Sequence, residues 1–352
     1  MNSFSEKKNS PLVYILILNW NGWADTIECL ESVFKSDYAN FKVVVCDNFS
    51  SDFSTESIVK WARGDLYPNI LSDNKLAELS KPFQSKPISH IVYDRAQAED
   101  GGDFEQDVDL VIIKTGGNLG FAGGNNVGIR YALARDNFSH IWLLNNDTVV
   151  KADALSALVS RMIDVPAAGI CGSTLLYYHR PDMVQALGGA TYNPLFATAN
   201  AIGAMRQFDP DVDEEEIGKE IDYVIGASML VTKKFLKKIG LMCEDYFLYY
   251  EEIDWAYRGR RYFSEIYAKN SIVYHKEGAS IGSNIDAAKK SKLSDYYGIA
   301  NRLKFTKNNC SIYYPFVYIS LIGILFNRIR RKQFDRVKMI WHIMLLRKKI
   351  DI

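Results

Sequence analysis

The chain has 352 residues, 48% of them apolar and 24% charged, and its 42 Lys and Arg balance 42 Asp and Glu. That length exceeds one small domain, and the composition excludes a disordered or fibrous chain. The zero net charge hides an asymmetry, because residues 287–352 hold fifteen Lys and Arg against three Asp and Glu, which points to an anionic membrane surface as partner and not to nucleic acid.

The five cysteines (Cys29, Cys46, Cys171, Cys243, Cys310) are widely spaced with no C-x-x-C pair. Buried, reduced thiols are expected, not a disulfide framework or a zinc site. Met1 to Ser10 is polar and lacks the apolar stretch of a secretory signal, so a cytoplasmic location is expected.

In chain order, the first element is the apolar run Leu12–Leu18, which reads as a central strand of a parallel sheet and ends on Asn19-Trp-Asn-Gly22. Residues 26–34 place Ile27, Leu30, Val33 and Phe34 on one helical face. Phe41–Cys46 is a second strand, closing on Asp47 and Asn48, so the first fifty residues form a βαβ unit. Residues 61–107, with Pro68, Pro82, Pro87 and Gly101-Gly102, read as an insertion of short elements and loops without chemistry.

A third strand, Val108–Lys114, leads into the glycine loop 116–124 and a helix from Asn125 to about Asp136. Glycines at a helix start let backbone N–H groups approach a phosphate, although the spacing is not the G-x-G-x-x-G of a dinucleotide site. The run Ile141–Leu144 is a fourth strand and stops on Asn145-Asn146-Asp147. In a parallel sheet the clusters Asn19/Asn21, Asp47/Asn48 and Asn145–Asp147 share one edge, where open α/β sheets bind ligands. Taken alone, Asp147 is also a plausible cap of the helix expected over residues 151–163.

After Pro166 short strands and long loops are expected, with the acidic run 209–216 a solvated loop. Residues 221–231 are strand-like, 233–239 a short helix stopped by Gly240, and Glu251–Arg258 helical. Ser271–His275 is a last strand that delivers a histidine at its end. Asp147 and His275 suit a hard cation whose shell is completed by phosphate oxygens and water. Glu251, Glu252 and Asp254 follow an aromatic stretch, so an apolar pocket can raise one of them into the range of a general base. As a structural feature alone, the same trio is an acidic first helical turn.

The ordered motifs Ile17-Leu-Asn-Trp-Asn-Gly22, Val45-Cys-Asp-Asn-Phe-Ser-Ser-Asp52, Gly117-Asn-Leu-Gly-Phe-Ala-Gly-Gly-Asn-Asn126, Leu143-Leu-Asn-Asn-Asp147, Gly226-Ala-Ser-Met-Leu230, Tyr250-Glu-Glu-Ile-Asp254 and Val273-Tyr-His275 resemble family 2 inverting glycosyltransferases. The subgroup they resemble is the rhamnosyltransferase-like enzymes of bacterial polysaccharide assembly. The resemblance covers about residues 13–307, apart from the insertion.

It implies a GT-A fold, an α/β mainly parallel sheet flanked by helices, with a nucleotide-sugar-binding half (11–150) and an acceptor-binding half (151–285). It implies that Asp47 pairs with the nucleotide base, with Asn19 nearby, and that Asn118 and Gly120 lie beside the nucleoside. Asn145 to Asp147 match the D-x-D motif, Asp147 and His275 would hold Mg²⁺ or Mn²⁺, and Glu252 would be the catalytic base. Asn145 replaces the first acid of that motif, and Glu252 stands where the family has Asp, so Glu251 and Asp254 compete for the base role.

The implied reaction moves a sugar from a nucleotide-diphosphate donor, a UDP-sugar or dTDP-rhamnose, to a hydroxyl of a saccharide or lipid-linked acceptor. A nucleotidyltransferase or NAD-dependent oxidoreductase on the same sheet is the alternative. A catalytically dead membrane scaffold is a third reading.

Residues 286–352 read as a basic helical tail. No charge falls between Lys307 and Arg328, and Arg328, Arg330, Arg331 and Lys332 follow. Met339–Leu346 followed by Arg347-Lys-Lys349 repeats the apolar-then-basic pattern. An interfacial helix pair on acidic lipid, at the inner face of the cell membrane, is expected over a true span or a soluble hairpin.

Overall fold

The computed structural model describes residues 10–70, 74–276 and 291–345. Its first half runs β1 (Val13–Asn19), α1 (Trp23–Val33), β2 (Phe41–Asp47), α2 (Ser54–Arg63), α3 (Ala77–Ser80), β3 (His90–Asp94), α4 (Arg95–Glu99), β4 (Leu110–Lys114), α5 (Gly120–Arg135) and β5 (His140–Asn145). The second half runs β6 (Thr148–Val150), α6 (Ala154–Asp164), β7 (Ala168–Tyr177), β8 (Arg180–Leu187), β9 (Gly189–Asn193), β10 (Thr198–Ala201), α7 (Glu214–Glu220), β11 (Tyr223–Val224), β12 (Ser228–Thr232), α8 (Lys233–Ile239), α9 (Glu251–Gly259) and β13 (Ser264–His275). Three helices close the described chain, α10 (Lys292–Asn309), α11 (Tyr314–Arg330) and α12 (Phe334–Met344).

The main sheet has the order β3-β4-β2-β1-β5-β12-β7-β13-β6, with β8 paired to β7. Strands β3, β4, β2, β1 and β5 are parallel, and β12 runs antiparallel to both β5 and β7. The apolar runs form central strands because both faces are covered. On one face Ile15, Ile17, Val43 and Val45 pack with Ile27, Leu30 and Trp61 of α1 and α2. On the other, Tyr14, Leu16, Val44 and Val111 pack with Val127, Ile129 and Tyr131 of α5. Each fully buried aliphatic side chain contributes about 1.5–3 kcal/mol relative to exposure, so no polar–apolar alternation is needed for these strands to hold.

Several expectations change. The insertion 61–107 contributes an edge strand to the sheet, β3, whose five residues are too short to show a pattern. Asp94 then opens α4 with a capping box completed by Gln97. The acidic run is a loop only as far as Asp213, which caps α7, and Glu214 and Glu215 of that helix pair with Arg161. Residues 221–231 split into β11 and β12 around Ile225–Ala227.

Asp147 caps no helix, since β6 follows it directly. The expected boundary at 285/286 lies outside the described residues, as do Arg347, Lys348 and Lys349. Cys29, Cys46, Cys171 and Cys310 are buried thiols and Cys243 is half-buried. Burial pushes the Cys29 and Cys46 thiols up to about 12.

Candidate active site

Parallel register sets the floor of the site. Asn19 lies opposite Asp47, and Leu18 opposite Asn145, so the three polar strand ends do meet at one edge. Beneath the surface they satisfy one another. Asn19 Nδ2 donates to Asp47 Oδ1 at 2.9 Å, and Thr55 Oγ1 donates to Asp47 Oδ2 at 3.1 Å. Thr26 Oγ1 donates to Asn19 Oδ1 at 2.8 Å, and Asn146 Nδ2 donates to Thr26 Oγ1 at 3.1 Å. Asn21, exposed, ties two loops by accepting from Ser51 N at 2.7 Å.

Above this floor opens a cleft enclosing about 850 Å³ of space, part of it open to solvent. Asn48, Asn118, Gly120, Asn145, Asn146, Asp147 and His275 line its polar side, and Trp20, Phe121, Phe247 and Leu293 its apolar side. A few convergent polar groups on an apolar wall are the usual make-up of a small-molecule site. Asp47 and Asn19 stand behind these lining residues.

His275 reaches Asp147 because β6 turns back from the end of β5 and pairs antiparallel with β13. His275 is thereby the register partner of Thr148, and Lys276 N donates to Asp147 O at 2.9 Å. His275 Nε2 lies 3.1 Å from Asp147 Oδ1. Its other nitrogen, Nδ1, lies 2.9 Å from Gln185 Oε1 on β8. When Nδ1–H donates to Gln185, Nε2 presents a lone pair to a carboxylate, and only a cation or a proton between them removes the repulsion. Burial opposes ionisation of Asp147, yet the charge and hydrogen bond of His275 outweigh it and hold the carboxyl below its usual range.

A carboxylate and an oriented imidazole therefore fit a divalent cation as two of its ligands. Among the described residues no cluster of three or more such groups exists, so the remaining ligands have to come from water and a bound anion.

Three amides of the glycine loop are already engaged and so are not free for the expected phosphate cradle. Leu119 N donates to Asn48 Oδ1 at 3.0 Å, Gly120 N to Asn118 Oδ1 at 3.1 Å, and Phe121 N to Phe247 O at 3.0 Å. These amides hold the loop and dock the segment 246–250. Gly120 has φ +71°, and a β-carbon there would come within 2.1 Å of Phe247 O. The glycine is required by that close approach.

Segment 246–250 carries the carboxylates. Tyr249 and Tyr250 both adopt the left-handed region, at φ 67° and 77°, immediately before α9. Such a pair costs about 1–3 kcal/mol per residue and persists only where the surroundings enforce it. The buried Asn301 of α10 does so, its Nδ2 donating to Leu248 O at 2.8 Å and Tyr249 O at 3.1 Å. Tyr250 OH donates to Ala197 O at 3.0 Å.

Glu251 is 2% exposed and its Oε2 has no hydrogen-bond partner among the described residues. Burial first and the neighbouring Glu252 second push its carboxyl well above the usual range. Glu252 is half-buried, and burial raises it too. Its Oε1 fits only because Gly226 lacks a β-carbon, which would sit 2.6 Å away. Asp254 does not compete for the base role. It accepts from Arg258 Nε at 2.8 Å and from Asn309 Nδ2 at 3.3 Å, and these bonds occupy both of its oxygens.

The sequence assigned no role to Gln185, Thr26, Gly226 or Asn301, although Gly226 opens the motif Gly226–Leu230 and Asn301 lies in a segment, 294–302, that resembles one of the family's. Gly226 also carried a local signal as an isolated glycine in a strand-like run.

Residues 91–186 match the family described as "Glycosyl transferase family 2". That match takes in β4, α5, β5 and the Asn145–Asp147 turn. The low-salt glycan biosynthesis hexosyltransferase Agl10 of Haloferax volcanii is 30% identical over 156 residues, which are 44% of this chain and 47% of that protein. The chain thus spans about half the length of that curated relative.

Among solved structures, the mannosyltransferase PcManGT of Pyrobaculum calidifontis, in complex with GDP-Man and Mn²⁺, is similar with TM-score 0.51 at 12% identity, over 96% of this chain and 75% of that one. GalNAc-T7, with UDP, GalNAc and Mn²⁺, is similar with TM-score 0.50 at 13% identity, over 84% and 51% of the two chains. The fold is therefore GT-A: a mostly parallel sheet with helices on both faces, here followed by helices α10 to α12.

Proposed function

We propose that the chain is a metal-dependent, inverting glycosyltransferase that moves a hexosyl group from a nucleotide-diphosphate donor to a hydroxyl of a saccharide or lipid-linked acceptor. The observation that carries this reading is the Asp147–His275 pair in the wall of a cleft whose apolar side includes Phe247 and Leu248, just ahead of Glu251 and Glu252 in the chain. The similarity to Agl10, a hexosyltransferase of glycan biosynthesis by its name, supports the substrate class. A UDP-sugar or dTDP-rhamnose is the donor we favour.

Asp147 and His275 would hold Mg²⁺ or Mn²⁺, which supplies charge stabilisation for the departing diphosphate. The chain's own residues supply the rest. Asn48, Asn118, Trp20 and Phe121 form the walls that orient a nucleoside, while the Asn19–Asp47–Thr26 network keeps the floor rigid.

Glu252 is the base in this reading, because it is only half-buried whereas Glu251 is enclosed. The acceptor oxygen attacks the anomeric carbon from the face opposite the diphosphate. Its proton passes to Glu252, the bond to the diphosphate oxygen breaks, and the nucleoside diphosphate leaves. The displacement inverts the anomeric centre, and no glycosyl-enzyme is required.

The test is release of nucleoside diphosphate from a panel of sugar nucleotides, with Mn²⁺, with Mg²⁺ and with chelator. Metal-dependent release from one or a few donors is expected. Metal-independent binding of NAD, with no release from any sugar nucleotide, would support the oxidoreductase alternative instead.

A further inference from the structure

Helix α11 is apolar enough and, with the 3₁₀ turn before it, long enough to cross a membrane: Ser311–Arg330 has a mean hydropathy of 1.4. Its packing forbids that role. Val317, Leu321 and Leu325 are buried against Ile299 and Leu303 of α10 and against Met339 and Ile340 of α12. The buried Arg328 donates to Asp295 Oδ1 at 2.7 Å, and Arg336 donates to Asp295 Oδ2 at 3.1 Å. Arg302 donates to Ser320 Oγ at 2.8 Å. A span would carry these ionic groups and α12 into hydrocarbon, or strip α11 from both neighbours.

The opposite face has no cover among the described residues. Ile312, Phe316, Ile319, Ile322, Phe326 and Ile329 are 49–76% exposed and recur every three or four residues, forming one continuous stripe. Half of the large apolar side chains exposed in the described chain, nine of eighteen, lie within residues 312–345. At the C-terminal end of the stripe stand Arg330, Arg331, Lys332 and Lys338, exposed and with no ion pair among the described residues. A second copy would leave those cations unmatched or set them against their own kind. Phosphate headgroups beside an apolar layer match both features.

We propose that the outer face of α11 lies in the plane of an anionic bilayer, its apolar stripe in the acyl boundary and its four cations at the headgroups. The face is linked to the cleft through α10, which packs on α11 and whose Leu293 lines the cleft. A lipid-borne hydroxyl acceptor presented at that surface would thus arrive beside the site. The docking is read without activity, so its failure leaves the transferase reading standing, and the converse holds too.

The test is flotation of the full chain with vesicles of phosphatidylcholine alone or mixed with phosphatidylglycerol. Binding to the mixed vesicles and at least about ten-fold weaker binding to neutral ones are expected, with added salt reducing the difference. The Ile319→Glu, Phe326→Glu double variant should lose binding, and Arg330→Glu with Arg331→Glu should bind about ten-fold more weakly while melting as wild type. Ser311→Cys and Asp335→Cys should both react with an impermeant maleimide added outside sealed vesicles.

Four results would overturn the proposal: no vesicle binding, equal binding to neutral vesicles, protection of one of the two cysteines until detergent is added, or a stable dimer by light scattering that Ile319→Glu dissociates.

Discussion

Asp147 Oδ1 and His275 Nε2 lie 3.1 Å apart although 128 residues separate them, because β6 folds back from the end of β5 onto the end of β13. The turn Asn145–Asp147 therefore does not cap a helix; it delivers a carboxylate to an imidazole. Gln185 fixes the ring through Nδ1 at 2.9 Å, and its loss should be felt in metal affinity before anything else. Gln185→Ala is expected to weaken the activating metal about 10–100-fold with little change in kcat at saturating metal. Titrating turnover with Mn²⁺ measures this, and an unchanged half-saturation would remove Gln185 from the site.

The two raised carboxylates should part company on mutation. Glu252→Gln is expected to lower kcat by about 10²–10⁴-fold, the range of a lost general base, with donor KM little changed. Because burial raises Glu252 above its ordinary value of 4.5, wild-type kcat should rise with pH through that raised value. A flat profile between acid and neutral pH would count against Glu252.

Glu251 carries a stability signature. Its folded-state value is raised above 4.5, so its contribution is fully present below pH 4.5 and is lost as pH rises through the raised value. Glu251→Gln cannot ionise and should escape that loss. The variant is expected to be more stable than wild type at neutral and alkaline pH, on the order of 1–2 kcal/mol, with the gain vanishing toward acid pH. Thermal melts across pH decide it, and a variant equally destabilised at every pH would contradict the assignment.

Asn301 acts on the chemistry only through the segment it holds. Its Nδ2 bridges Leu248 O and Tyr249 O and fixes the left-handed Tyr249–Tyr250 pair ahead of Glu251. Asn301→Ala should cost about 1–3 kcal/mol of stability, since the buried Leu248 carbonyl and the half-buried Tyr249 carbonyl lose their donor. It should also lower kcat more than it raises donor KM. If melting falls while kcat per folded enzyme is unchanged, Asn301 is structural only.

Gly120→Ala tests the docking of the same segment from the other side. The added β-carbon meets Phe247 O at 2.1 Å in a backbone at φ +71°, so the segment has to move. Loss of more than about 2 kcal/mol and of most turnover is expected. A variant that melts and turns over as wild type would mean the contact at Phe247 is not required.

The strands that make the site's floor were legible because continuous apolar runs ending on Asn or Asp carry both a burial and a direction signal. That signal was enough for β1, β2, β4 and β5, and for His275 at the end of β13. It was not enough for β3, whose five residues gain their place from β4 and not from their own pattern.

The glycine loop was only partly legible, for a physical reason. The sequence shows where a backbone can approach an anion, but not that Asn48, Asn118 and Phe247 already occupy the amides of Leu119, Gly120 and Phe121. Among the acidic trio, the fate of Asp254 depended on Arg258 and on Asn309, and only the second is remote in sequence. Gln185 had no local signal, and the segment around Asn301 had one without a role, since a polar residue in a helix or strand looks the same whether or not it meets a partner across the fold.

The central claim is that Asp147 and His275 hold the metal for sugar transfer. The most direct measurement is nucleoside diphosphate release against Mn²⁺ concentration for wild type, Asp147→Ala and His275→Ala, each checked for folding by its melt. Saturable Mn²⁺ activation in wild type, with turnover reduced at least about 10²-fold in Asp147→Ala and a weakened metal response in His275→Ala, is the predicted result. Wild-type turnover that persists in chelator, or an unchanged Mn²⁺ response in folded Asp147→Ala, would contradict it.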